Sequence, residues 1–409
     1  MSTSSDPGQL PPLVEPGPEL DVAQRRRYSR HLLLPEVGAV GQRRLAAARV
    51  AVVGAGGLGS PALLYLAAAG VGTIGVIDAD VVEESNLQRQ VIHPATAVGT
   101  AKVDSAAEAI RAVNPGVEVV RHRVRLDSGN ALDVLAGYDL VLDGADNFPT
   151  RYLVGDACEL LGTVEVWGSV LRFDGQVSVF WPGRGPVYRD LFPSPPPPGS
   201  VPSCADGGVL GMLCGAVGSV MATEAVKLIC GIGRPLVGRV LIYDALAMTW
   251  QSLAVRADPD RKPVEALIDY DAWCSGPPAA AGSPAGAAEI DAPAAGEEID
   301  APALAGMLAE RRAGRREFTL IDVREAAERE IVTIEGAVHL PLADLLDAVR
   351  AGRLPEVVPH GPLVLHCKSG GRSAQALTAL RAAGRGNVVH LAGGVLAWVR
   401  DVQPHLPGY

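Results

Sequence analysis

Nowhere in these 409 residues does a C-x-x-C pair occur; the six cysteines, Cys158, Cys204, Cys214, Cys230, Cys274 and Cys367, lie scattered. That spacing encodes neither a disulfide framework nor a four-thiolate zinc site, so each thiol is expected to be free. Basic charge is also in deficit, with 36 Lys and Arg against 46 Asp and Glu and a net charge of -10. No global field therefore draws nucleic acid or an anionic membrane, although a local anion site stays possible. The N-terminal stretch MSTSSDPGQLPPLVEPGPEL has no basic n-region and no apolar h-region. It reads as a disordered lead rather than a signal peptide, and the protein as cytoplasmic. The uncharged stretch GGVLGMLCGAVGSVMAT, 207–223, is rich in Gly and Ala and falls short of the roughly 20 apolar residues of a membrane span. It reads as a helix buried in a core or a subunit interface, where Gly211, Gly215, Gly218 and Ser219 permit close packing.

What is present divides the chain. The length exceeds the roughly 250 to 300 residues at which one core stops growing, so two domains are expected. After DYDAWCSG comes PPAAAGSPAGAAEIDAPAAGEE, which has no aromatic residue and no apolar period and cannot bury enough surface to fold. The hexapeptide EIDAPA recurs at 289–294 and 298–303, far below the period of a solenoid. We read a first domain over 20–275, a flexible linker over 276–299 and a second domain over 300–409, with Asp300 capping a helix that carries Pro302 in its first turn. The proline-rich FPSPPPPGSVPSC, 192–204, reads as a long loop over a site.

ARVAVVGAGGLGSPALLYLAAAGVGTIGVIDAD has the order strand, glycine turn, helix, strand. Gly54, Gly56 and Gly59 fit G-x-G-x-x-G, with Gly57 in the same loop, and Asp78 stands where a carboxylate accepts a bond from a ribose hydroxyl. Such glycines let backbone N–H groups and a helix end approach phosphate oxygens. On this stretch alone a nicotinamide dehydrogenase is the first reading. The following residues change it: Asn86, Arg89, Gln90 and Lys102 form a polar and cationic cluster suited to a triphosphate. YDLVLDGADNFPTRYLV then supplies another apolar strand ending near Asp143 and Asp146, with a carboxylate able to hold Mg2+. Taken singly, Arg89 or Lys102 reads as a solvated helix face and Asp143 as a helix cap; their joint order carries the argument.

The segments YSRHLLLPEVG, GAGGLGSP, SNLQRQVIH, AKVDSA and DGADNFPTRYL together resemble the ThiF/MoeB adenylyltransferases, relatives of ubiquitin-activating enzymes, across 25–270. The resemblance implies an α/β, Rossmann-like domain with a largely parallel sheet that uses ATP to adenylate the C-terminal Gly-Gly of a small ubiquitin-like sulfur carrier. It further implies ribose binding at Asp78, phosphate contacts at Arg89 and Lys102, a site completed by Asn86 and Gln90, and Mg2+ at Asp146. Arg30 would reach the nucleotide from the partner subunit of a homodimer. Many such enzymes bind zinc through two C-x-x-C pairs; here the matching segments read GPVYRDLFP and RADPDRKPVEALI, so no zinc is expected and packing alone must close them. Cys204 matches a cysteine that takes part in sulfur transfer in some relatives. Cys158, Cys214 and Cys230 read as core packing.

In GPLVLHCKSGGRSAQALTAL a strand leads to Cys367, a tight glycine loop follows, and a helix begins near Arg372 and Ser373. Backbone N–H groups of such a loop and a helix start form an anion nest, which favours a thiolate. The C-x4-R spacing from Cys367 to Arg372 is shorter than the C-x5-R of phosphotyrosine-type phosphatases. With LIDVRE, GAVHLPL and LAGGVLAW it resembles the rhodaneses, which carry a persulfide on the cysteine, and implies a smaller α/β domain over about 300–405. Asp322 and Arg324 read as braces of that fold. The two halves in this order resemble MoeZ-type sulfurylases of molybdenum cofactor and related sulfur-carrier pathways, with thiosulfate or a cysteine desulfurase as sulfur donor. Three rivals are a nicotinamide oxidoreductase, an adenylating enzyme that uses its second domain for docking, and a thioester-forming enzyme acting through Cys204.

Overall fold

The computed structural model describes residues 10–197, 207–275 and 297–408. The chain divides into two compact units, Met1–Ala279 and Ala280–Tyr409.

The first unit is built on an eight-stranded sheet in the order β3-β2-β1-β4-β5-β6-β7-β8. Strands β1 (Arg49–Val53), β2 (Thr73–Ile77), β3 (Glu118–His122), β4 (Leu140–Asp143) and β5 (Val164–Leu171) run parallel. Strands β6 (Asp174–Phe180), β7 (Arg239–Asp244) and β8 (Thr249–Ala254) extend the sheet antiparallel. The runs RVAVV, TIGVI and LVLD bury nearly every residue, as strands covered on both faces require. β1 lies between β2 and β4, so the chain reverses its direction of winding there and opens a crevice beyond the carboxyl ends of these strands.

The small-residue stretch forms the helix Gly211–Cys230, 20 residues long and thus longer than its apolar run suggests. It is long and apolar enough to cross a membrane, yet it packs on the helix Gly59–Ala69 and on β5 and β6. A Cβ on Gly218 would meet Leu58 O at 2.6 Å, so the close approach anticipated for these glycines is realised. Buried Glu224 pairs with Lys227 at 2.6 Å and accepts the Leu236 N–H, which anchors the helix end within the unit.

Two expectations are corrected here. Residues 10–20 of the N-terminal lead are ordered, with the Leu13 N–H bonded to Leu228 O and Leu20 buried. The segments around 190 and 260 are closed by ions as well as by packing. Arg261 reaches Asp190 at 3.0 Å and Glu159 at 2.9 Å, and Asp190 also accepts the Asp258 N–H.

The second unit holds a five-stranded parallel sheet in the order β11-β10-β12-β13-β9. Its strands are β9 (Glu298–Ile299), β10 (Thr319–Asp322), β11 (Ala337–His339), β12 (Leu363–His366) and β13 (Val388–Leu391). β9 thus begins within the segment read as linker. Asp300 caps the helix Ala301–Arg312 through Ala303 N at 2.7 Å, as its spacing from Pro302 predicts.

Candidate functional sites

In the first unit the crevice at the switch point is lined by Gly54, Gly56, Gly57, Asp78, Arg89, Gln90, Lys102 and Asp146. Gly54 has φ +88°, and a Cβ on Gly59 would lie 1.9 Å from Gly54 O, so Gly59 seats the helix start against the loop rather than facing the pocket. A Cβ on Gly57 would stand 2.7 Å from Cys214 Sγ. Asp78 accepts the N–H groups of Ala55 and Asp80. Burial nevertheless raises its carboxyl above the usual range, with Lys102 opposing. Lys102 is buried and pairs with the exposed Asp80 at 2.9 Å. An incoming phosphate would compete for the same ammonium.

Two features of this crevice fit a nucleotide with its metal. Gln90 Oε1 is buried without a hydrogen-bond partner among the described residues, and the glycines leave a cradle that side chains would fill. Asp146 is exposed, and among the described residues its carboxylate accepts only a long 3.5 Å bond from Asn147. Mg2+ keeps several waters and is held by one or two carboxylates plus substrate phosphates, so a lone open carboxylate suits it. Among the described residues no group of three or more His, Cys, Asp or Glu forms a metal cage.

Not every anticipated residue lines this space. Asn86 is buried in a 3-10 turn, where its carbonyl accepts the N–H groups of Arg89 and Gln90; it shapes the turn that presents them. Arg30 is exposed and absent from the lining, and Cys204 lies outside the described residues. Sequence reasoning passed over Arg151, Cys214 and His93. Arg151 is buried, donates to Ala145 O at 3.0 Å and lines the pocket beside Asp146. Cys214, read as plain core, also faces the pocket. His93 bridges Ser105 Oγ and Ala55 O, both at 2.9 Å, and so fixes the glycine loop from behind; its place in SNLQRQVIH was the available signal. Asp143 is fully buried, is pushed up to about 7 by burial and donates nothing to the pocket lining. A second, mostly apolar cavity adjoins the first, sharing Asp146, Asn147, Arg151 and Val170. Phe192, Ser194 and Pro196 of the proline-rich stretch line it.

In the second unit β12 delivers Cys367 into a loop that closes at the helix Gly371–Ala382. The thiol is only 1% exposed; its Sγ accepts the Gly370 N–H at 3.1 Å and lies 3.5 Å from Ser373 Oγ. Gly370 has φ +106°, a conformation that suits glycine. The LAGGVLAW segment supports this loop from below: Val395 N–H donates to Cys367 O at 2.8 Å and Leu396 N–H to Lys368 O at 3.1 Å. Gly394, at φ +58°, allows that contact, since a Cβ would sit 2.5 Å from Cys367 O.

Arg372, singled out by the C-x4-R spacing, has its guanidinium held by both carboxylate oxygens of Glu328 at 2.6 Å. Glu328 is the residue that sequence reasoning missed, and it ties the loop to LIDVRE. Arg324, fully buried, pairs with Asp322 through two bonds of 2.9 and 2.7 Å and donates to the carbonyls of Glu328 and Val332. Burial opposes ionisation of Asp322, but the Arg324 bonds outweigh it and hold the carboxyl low. His366, fully buried beside Asp322 at 3.7 Å, is pushed down to about 4 by burial and is neutral at pH 7.

Comparison with known proteins bears on both sites. Residues 28–264 match the ThiF family, and residues 304–401 match the Rhodanese-like domain. Over the full length of both chains the protein is 49% identical to a probable adenylyltransferase/sulfurtransferase MoeZ of Mycobacterium tuberculosis. It is 40% identical to an adenylyltransferase and sulfurtransferase MOCS3 of Bos taurus, across 100% of this chain and 93% of that one. A sulfur carrier protein adenylyltransferase of Thermus thermophilus is 52% identical across 61% of this chain and 96% of its own. Among solved structures, the E. coli MccB complex with ATP is similar in fold, with TM-score 0.52 and 19% identity over 58% of this chain and 74% of that one.

Proposed function

The chain belongs to the ThiF family and carries a rhodanese-like domain, and from that premise we propose that it activates a small ubiquitin-like carrier ending in Gly-Gly and converts it to a thiocarboxylate. It is an enzyme of two activities, adenylyltransferase and sulfurtransferase, as its full-length relatives are named. The observation that carries the adenylation reading is the convergence of the glycine loop, Asp78, Arg89, Gln90, Lys102 and Asp146 on one crevice at the sheet's switch point.

In this reading the glycine loop and the following helix start receive the phosphates, Asp78 holds the ribose, and Arg89 and Lys102 steady the charge that develops on the triphosphate. Asp146 would hold Mg2+, which neutralises charge on the phosphate oxygens. An oxygen of the carrier's terminal carboxylate attacks the α-phosphorus and pyrophosphate leaves, giving an acyl-adenylate. The apolar cavity beside Asp146, lined by Tyr152, Trp167 and Tyr188, suits the extended carrier tail. Asn86 keeps Arg89 and Gln90 in position, and Arg30 completes the site from the partner subunit of a homodimer.

The sulfur step follows at a carbonyl made attackable by AMP. A persulfide on Cys367, charged by thiosulfate or a cysteine desulfurase, attacks that carbonyl through its terminal sulfur, and AMP leaves. The thiolate of Cys204 then attacks the Cys367 sulfur of the acyl disulfide. That releases the thiocarboxylate and leaves a Cys204–Cys367 disulfide for an external thiol reductant. Because both units belong to one chain, the persulfide meets the adenylate at an effective concentration set by their connection. The carrier's own pathway, molybdenum cofactor synthesis or a related one, decides the destination of the sulfur.

The deciding experiment is ATP–pyrophosphate exchange with a carrier ending in Gly-Gly, beside the same carrier lacking those glycines. Exchange that requires both glycines supports the reading. NAD binding without exchange for any carrier would overturn it in favour of an oxidoreductase.

A further inference from the structure

From Cys367 a string of polar groups leads to the surface. Ser373 Oγ lies 3.5 Å from Cys367 Sγ and 3.4 Å from His390 Nδ1. The opposite ring nitrogen, Nε2, stands 3.1 Å from Glu298 Oε1. Cys367, Ser373 and His390 are buried, whereas the Glu298 side chain is 51% exposed. Sheet register fixes the outer half of this string, because His390 of β13 pairs directly with Glu298 of β9. The inner half is fixed by the loop, with Ser373 in the first turn of the helix that closes it.

The chemistry of the atoms matches their order. At rest the Ser373 hydroxyl donates to Gly370 O at 2.9 Å; rotated toward His390, it can accept from the thiol S–H and donate to an unprotonated Nδ1, while Nε2 faces the Glu298 carboxylate. Within the sulfurtransferase reading above, on which it rests, we propose that His390, oriented by Glu298 and acting through Ser373, takes the proton of Cys367 as the cysteine attacks its sulfur donor. His390 and Glu298 are therefore positioning residues for the thiolate rather than groups that touch the donor.

With thiosulfate the step balances. The S–H bond of Cys367 breaks, its proton passes to Ser373 Oγ, and the serine's own proton passes to His390 Nδ1. The freed sulfur pair forms a bond to the sulfane sulfur, whose bond to the sulfonate sulfur breaks with its electrons leaving on sulfite. The products are the Cys367 persulfide anion, sulfite and an imidazolium beside the Glu298 carboxylate; no outside oxidant or reductant is needed. The titratable and charged groups around His390 are the thiol from the loop, Glu298 from β9 and, at the end of the same strand pair, the ion pair of Arg381 with Glu297. Burial pulls the imidazole below the usual histidine range while Glu298 pulls it upward, so it rests neutral and ready to accept.

The test is single-turnover sulfite release from thiosulfate by the full chain, followed as a function of pH in the parent protein and in His390→Gln, Glu298→Gln and Cys367→Ala. His390→Gln should slow release by about tenfold or more near pH 7, in keeping with the loss of general-base assistance, and the gap should narrow toward alkaline pH, where hydroxide takes the proton in place of the imidazole. Glu298→Gln, at a half-exposed position that leaves the core intact, should give a smaller shift of the same shape and decides the matter if His390→Gln does not fold. Profiles that superimpose on the parent, or a loss by the same factor at every pH, would overturn the relay. Sulfite release that persists in Cys367→Ala would instead overturn the persulfide reading beneath it.

Discussion

The two units bury opposite chemistry beside their sites. In the first, Asp143 and Glu165 are acids sealed in the core, and burial raises both, Asp143 to about 7. In the second, His366 is a sealed base that burial pushes down to about 4. A raised acid binds its proton more tightly in the folded chain than in the unfolded one, so Asp143 stabilises fully at low pH and loses that contribution as pH climbs from 3.8 toward about 7. A lowered base does the reverse: His366 costs stability as pH falls from 6.5 toward about 4. Asp322, held low, adds to the second unit's acid sensitivity, and His93, lowered by burial, works in the same direction in the first unit. Burial thus favours the neutral form in both units, of an acid in the first and of a base in the second.

The sharpest way to break the comparison is to silence one site and read the other. Lys102→Ala should lower ATP–pyrophosphate exchange by about 10²- to 10³-fold, as loss of a charge-stabilising group does, while sulfite release from thiosulfate persists. Cys367→Ala should abolish sulfite release while exchange persists. A loss of both activities in either variant would mean that the sites do not work separately.

Next in size is the clasp of the first unit. Arg261→Ala leaves Glu159 and Asp190, both mostly buried, without their cation. Thermal or urea unfolding of that unit should show a loss of about 3 kcal/mol, the scale of removing one partner from a buried pair. A loss of a few tenths would show that apolar packing closes these segments unaided.

Acidification probes the second unit. Between pH 7 and about pH 4.5 His366 should withdraw about 2 to 3 kcal/mol, so tryptophan fluorescence and urea titration should find the unit bearing Trp398 weakening over that window. His366→Asn should flatten the dependence. The smallest effect belongs to Glu165→Gln, which removes an ionisable group with one oxygen unpartnered among the described residues. It should raise the melting temperature of the first unit at about pH 8, where burial opposes the charged carboxylate, and change little at about pH 5.

How legible was this from sequence? The alternation of apolar runs with glycine turns made β1, β2 and β4 readable, since parallel strands covered on both faces write themselves as continuous Val, Ile and Leu. The site residues that were legible follow those strands directly, as Asp78 follows β2 and the glycine loop follows β1. Arg151 was not, because its role depends on how the helix Phe148–Leu161 folds back toward Ala145. Glu328 lies 44 residues before Arg372, and such a pairing exists only once the sheet has brought the two segments together. His390 and Glu298 escaped for the same reason, as each looks like an ordinary strand residue until register sets them side by side. Residues 10–20 of the lead were misjudged because their few apolar residues, Leu10, Leu13 and Val14, find their cover on a helix more than 200 positions away, while residues 1–9 lie outside the described residues.

The two-residue strand β9 has a mechanical consequence. It is the first described element after the segment that joins the units, and the backbone bonds that fasten it to β13 include those from His390 N–H to Glu297 O and from Ala392 N–H to Ile299 O. A pull on the chain just before Glu297 would be met by those bonds and by the Arg381–Glu297 pair. The residue next in line is Glu298, so a pull that peels β9 from the sheet edge would also draw the carboxylate from His390. The short strand at the edge of the second sheet thus also carries the carboxylate proposed to orient the imidazole beside the thiol.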